Sequence, residues 1–188
     1  AGEDVTTGET MVLIGGFAGH ALTTGSSNIA IGYNALSSED TGQRSIAIGE
    51  GALQTQNNDD NNYNIAVFLA LGYAALGSAT TSARNTAIGT AALGNGAMNT
   101  DSNTYNTAVG FHAGLNVSTG VENILIGAQA GDALTTGSRN VVIGTYALSN
   151  ENEHGNNVAI GWKALQDQDA GADAYNVAIG YEAGKEIT

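Results

Sequence analysis

The chain has 188 residues, enough for one ordinary domain, with 27 glycines and neither proline nor cysteine. Five Lys and Arg stand against 18 Asp and Glu, a formal charge of -13 that opposes nucleic acid and anionic membranes and is compatible with cations. Without cysteine there is no disulfide framework or thiolate metal site; aromatics at 6 % exclude a large aromatic core, and no apolar run approaches the roughly 20 residues of a membrane span.

One phrase recurs along the chain: Asn, apolar, small, apolar, Gly, two variable residues, Ala, then Leu or Gly. Its clearest copy is Asn28-Ile29-Ala30-Ile31-Gly32-Tyr33-Asn34-Ala35-Leu36. In chain order its glycines are Gly15, Gly32, Gly49, Gly72, Gly89, Gly110, Gly127, Gly144, Gly161 and Gly180, at spacings of 17, 17, 23, 17, 21, 17, 17, 17 and 19 residues. Such a period indicates stacked units, each too small to bury its own core. One repeat domain over residues 1–188, with a repeat core over 11–184, follows.

The four residues before each glycine predict the strands, at 11–14, 28–31, 45–48, 68–71, 85–88, 106–109, 123–126, 140–143, 157–160 and 176–179. In 140–143 and 157–160 the β-branched residues sit two apart and share a face. The glycine lets the chain bend. Three residues later Ala18, Ala35, Ala52, Ala75, Ala92, Ala113, Ala130, Ala147, Ala164 and Ala183 predict a tightly packed inner column. Polar turns follow, such as Thr23-Thr24-Gly25-Ser26-Ser27. A glycine-centred unit of this length leaves no room for a useful helix, so two short strands per coil and long parallel sheets are expected.

Asn28, Asn85, Asn106, Asn123, Asn140, Asn157 and Asn176 open seven strands and predict a hydrogen-bonded ladder; Met11, Ser45 and Phe68 replace them elsewhere. The third interval is irregular. Asn64-Ile65-Ala66-Val67 starts the phrase, yet Phe68-Leu69-Ala70-Leu71 precedes the glycine, which reads as a four-residue insertion. Enlarged polar turns occupy 54–63, 94–105 and 166–175, each ending in Tyr before Asn. Their acids, Asp59, Asp60, Asp101, Asp167, Asp169 and Asp173, suit Ca²⁺ by ligand type, but no EF-hand spacing occurs, and solvated charge is the plainer reading. Asp59, Asp60, Asp167 and Asp169 stand as weak Ca²⁺ candidates, and no other cofactor is expected.

The residue between the two β-branched positions faces the other way. It reads Leu13, Ala30, Ala47, Ala70, Ala87, Ala108, Leu125, Val142, Ala159 and Ala178, so the strand is apolar on both faces. With the β-branched pair assigned to the coil interior, this column is expected to face another copy of the chain. The position after the glycine carries Tyr33, Tyr73, Phe111, Trp162 and Tyr181, which could stack on sugar rings or seal corners. His20, His112 and His154 fall at different phases of the repeat and form no row, so no catalytic constellation emerges and no enzyme is expected.

The phrase Asn-Ile-Ala-Ile-Gly-Tyr-Asn-Ala at 28–35 resembles the head repeats of trimeric autotransporter adhesins and related repeats of phage tail fibres and viral surface proteins. The resemblance runs from Met11 to Gly184. It implies an all-β, left-handed parallel β-roll of about ten coils, three of which pack around one axis. The coils here are longer than the familiar adhesin repeat, and no neck, coiled-coil stalk or membrane anchor accompanies them. The expected function is therefore a non-enzymatic structural or adhesive module of a virion surface, a fibre or capsid-decoration protein. It would act in attachment or particle stabilisation and contact capsid or tail proteins, or host glycans. The alternatives are an extracellular bacterial adhesin head and a solenoid that binds polysaccharide or ice. Nucleic acid and membrane insertion are not expected.

Overall fold

In the computed structural model, which describes residues 1–57, 70–79, 81, 84–96, 98, 103–169 and 171–187, the chain is a parallel β-solenoid. Its strands are β1 (Val12–Ile14), β2 (Ile29–Ile31), β3 (Ile46–Ile48), β4 (Ala70–Leu71), β5 (Thr86–Ile88), β6 (Thr107–Val109), β7 (Ile124–Ile126), β8 (Val141–Ile143), β9 (Val158–Ile160) and β10 (Val177–Ile179). They form one sheet in strict chain order, every neighbouring pair parallel. Ten strands in this order mark nine full turns. Each coil contributes one short strand where two were expected, and turns complete the rest of its circuit.

Register is set by equivalent positions: Ile29 pairs with Ile46, Ala30 with Ala47 and Ile31 with Ile48. The irregular coil keeps that register, because Ala70 pairs with Ala47 and Leu71 with Ile48. The insertion read at 64–67 lies outside the described residues. The corner glycine is required twice over. Gly32 has φ +136°, where L side chains are strained, and a Cβ there would stand 2.5 Å from the Gly49 carbonyl oxygen of the next coil.

The core is thin and repetitive. The expected inner column is buried from Ala18 to Ala164, and Ala183 packs partly against it. The central strand residue provides a second small column. In each coil a larger apolar side chain occupies one or the other of two further places. Where the fourth residue after the corner glycine is Leu (Leu36, Leu53, Leu76, Leu93, Leu148, Leu165), the seventh is Glu39, Gln56, Ala79, Gly96, Glu151 or Gln168. Where the fourth is Gly19, Gly114, Gly131 or Gly184, the seventh is Leu22, Val117, Leu134 or Ile187. In the Gly131 coil the packing is close: a Cβ on Gly131 would lie 2.8 Å from Leu134 Cδ1 and 3.0 Å from Leu125 Cδ2.

Coils are also joined by side chains. Asn123 Oδ1 accepts the Asn140 backbone N–H, while Asn123 Nδ2 donates to the Gly137 carbonyl at 2.9 Å. Asn106 treats Asn123 and Gly120 the same way, and Asn28 does so for Ser45 and Gly42. The expected asparagine ladder thus includes buried clamps, Asn28, Asn106 and Asn123 each holding the next coil at two points.

Candidate functional site: the outward sheet face and the aromatic column

The side of the sheet expected to meet another copy is the interior of the coil. Ala30, Ala47, Ala87, Ala108, Leu125, Val142 and Ala159 are wholly buried within the single chain, Ala178 nearly so, and Leu13 packs partly against the core. These residues, read from the sequence as an intersubunit column, are therefore core residues; the side chain of Ala70 lies outside the described set. The physical reason is room. A three-residue strand turns one side chain to one face and two to the other. The space already taken by the alanine column and the buried side chains of the turns admits a single, mostly small side chain from the strand. The two β-branched residues must therefore point out.

The outward face is thus the more apolar of the two possibilities. One column runs Val12, Ile29, Ile46, Thr86, Thr107, Ile124, Val141, Val158 and Val177. The other runs Ile14, Ile31, Ile48, Ile88, Val109, Ile126, Ile143, Ile160 and Ile179. All of these are half-buried or exposed, with Ile14 at 56 % and Ile179 at 67 %. Parallel rungs about 4.8 Å apart make the face a flat stripe roughly 43 Å long.

Beside it lies the aromatic column. Tyr33, Tyr73, Phe111, Trp162 and Tyr181 are all exposed. Trp162 and Tyr181, on adjacent coils, stack with ring centroids 4.8 Å apart. Phe111 stacks on His112 at 3.8 Å, and Tyr33 meets Phe17 edge-on at 5.8 Å. Lys163 lies 4.5 Å over the Trp162 ring and 5.9 Å from that of Tyr146; Arg84 lies 5.5 Å over Tyr105.

The remaining titratable residues are scattered. His20 contacts Asp4 at 3.3 Å and Glu3 at 4.0 Å, and its pKa is raised by hydrogen bonding and by those acids. His154 Nδ1 lies 3.2 Å from Glu151 Oε1. The Asp132 carboxyl is pushed up by burial, and its Oδ1 has no hydrogen-bond partner. Of the acids assigned to the enlarged turns, Asp59, Asp60 and Asp101 lie outside the described residues. Asp167 accepts a bond from Asn150, and Asp173 accepts bonds from Gly155 N and Asn156 Nδ2, which ties its turn to the preceding coil. Asp169 is exposed. Among the described residues, no three His, Cys, Asp or Glu come together as metal ligands, and no helix is long and apolar enough to cross a membrane.

Glu39 and Glu151 were not singled out by sequence, yet both are wholly buried. Glu151 Oε1 accepts the backbone N–H groups of Asn152, Glu153 and His154, and Gln168 Nε2 donates to its Oε2 at 3.1 Å. Asn176 then donates to Gln168 Oε1 at 2.8 Å. A carboxylate so fully hydrogen-bonded can occupy the core position that other coils give to Leu or Val. The signal was present in the alternation between the fourth and seventh residues after the glycine.

Fold and surface together define a parallel β-solenoid repeat protein. No family model matches the chain, and neither the curated proteins nor the solved structures contain a match to it.

Proposed function

We propose that this chain is a non-enzymatic, homotrimeric rod that serves as a structural or adhesive element of a virion surface, as a fibre or decoration protein. The observation that carries the reading is the outward stripe of Ile and Val, with Thr86 and Thr107 among them, on the nine coils whose strand side chains are described. A flat apolar face of this extent on a soluble chain calls for a partner. The surface that matches its length and rung spacing is the same stripe on another copy, and closed rotational symmetry satisfies every copy equally. Three copies follow from the likeness of the 28–35 phrase to trimeric head and fibre repeats. A rigid ladder of buried amides suits a load-bearing surface part, and the charge of -13 keeps it from binding polyanions.

Sedimentation of the intact chain tests this. The expected mass is three times 18.9 kDa. Ile143→Glu combined with Ile160→Glu should release folded single chains, since both residues point outward. A stable single-chain species of the unaltered protein overturns the trimer. For the surface role, immunogold labelling of particles should decorate their exterior, and label confined to cell interiors would oppose it.

A further inference from the structure

The aromatic column contains one slot that differs from its other rungs. Tyr33, Glu50 and Tyr73 occupy the same position on three successive coils. Their alignment is fixed by the backbone: Gly51 N–H donates to the Tyr33 carbonyl at 2.9 Å and Ala74 N–H to the Glu50 carbonyl at 2.8 Å. The two tyrosines therefore stand two rungs apart, about 9.6 Å, with a carboxylate on the rung between. Together with Asn34, Gly51 and Gln54 they line a small cleft. The middle rung has glycine where its neighbours have Asn34 and Ala74, and a Cβ on Gly51 would meet nothing closer than 3.4 Å. The cleft is thus open at its centre.

The chain itself shows what these aromatics accept. Arg84 lies over Tyr105, outside the column; within the column Lys163, two residues after the corner glycine Gly161, lies over Trp162, each cation coming from within the chain. At the slot the corresponding position is Gly51, which brings no charge. Glu50 makes no ion pair among the described residues. Phe17 and Gly16 lie on the far side of Tyr33, and Tyr73 stacks on no other ring among the described residues, so both tyrosines keep a side free toward the slot.

We infer that the Tyr33–Glu50–Tyr73 slot is a binding site for a small organic ammonium cation. A cation centred there would lie about 4.8 Å from each ring, inside the roughly 6 Å reach of cation–π attraction, with a carboxylate to neutralise it. The net charge of -13 would raise the local concentration of any cation. The site lies within a single chain, so it stands apart from the trimer reading, which sedimentation decides separately.

The test is a titration with n-butylammonium, followed by the ring resonances of Tyr33 and Tyr73, with n-butanol as the neutral isostere. The amine is expected to give a saturable shift and the alcohol none. Glu50→Gln should weaken binding about tenfold, and Tyr73→Leu by a similar factor. Both residues are exposed or flank open space, so each variant should keep its fold, with an unchanged sedimentation profile. Absence of saturation, an equal response to n-butanol, or undiminished binding by Glu50→Gln each overturns the assignment. A shift that tracks protein concentration without added amine would place a side chain of another copy in the slot, and would also overturn it.

Discussion

Asn123 Oδ1 accepts the backbone N–H of Asn140 at 3.0 Å across a sequence separation of 17, one full coil. The same amide donates to Gly137, so a single side chain satisfies two backbone groups of its neighbour. Asn123→Ala would leave both unpaired in a buried place. A loss of about 2–6 kcal/mol is expected from two buried groups at roughly 1–3 kcal/mol each. Asn176→Ala, on the last described strand, should lose less. Urea denaturation of both variants checks the difference, and equal losses would deny the clamp its role.

Gly131 and Leu134 compete for one volume. Gly131→Leu alone should destabilise by about 1–3 kcal/mol through overpacking. The backbone itself accepts the change, because Leu148 holds φ +48° at the equivalent position. Adding Leu134→Gln recreates the Leu165–Gln168 arrangement and should recover much of the loss. A double-mutant cycle should yield a favourable coupling of roughly 1–3 kcal/mol; strict additivity would contradict the two-place core.

The corner glycines and the turn glycines should separate sharply. Gly127 has φ +134°, and a Cβ there would lie 2.7 Å from backbone atoms of Gly144, whereas a Cβ on Gly171 meets nothing within 4 Å. Gly127→Ala should lower the melting temperature substantially, and Gly171→Ala should leave it unchanged or slightly higher. Equal shifts would mean that coil spacing is not set by backbone contact at the corner.

Strand phase is testable by size alone. Ala159 is buried in the coil and Val158 faces outward. Ala159→Leu should cost about 1–3 kcal/mol or more, and Val158→Leu far less. The reverse order would restore the face assignment made from sequence.

Burial holds the Asp132 carboxyl above its ordinary range. The folded chain therefore binds more protons than the unfolded chain at and above pH 3.8, so this group favours folding at low pH and that contribution is lost as pH rises through the folded value. Asp132→Asn should flatten this part of the stability–pH profile and raise stability at neutral pH relative to the unaltered chain. A profile unchanged by the substitution would mean the carboxyl is hydrated after all.

The sequence alone determined the period, the corner glycines, the inner alanine column and the asparagine ladder. Each rests on one residue type at one phase, and stacking demands that type at every rung. The aromatic column was legible for the same reason. The number of strands per coil and the inward face were not. Ile, Ala and Ile alternate with period two, and both sets are apolar, so periodicity separates the faces without saying which is inside. Tertiary structure decided it through the narrow cross-section of the coil, which admits Ala159 and expels Val158 and Ile160. It also decided that Glu151 could be buried, because three backbone N–H groups and Gln168 converge on it from its own turn and the next coil. The Tyr33–Glu50–Tyr73 slot needed the same information: intervals of 17 and 23 residues become adjacent rungs only when the irregular coil keeps its register.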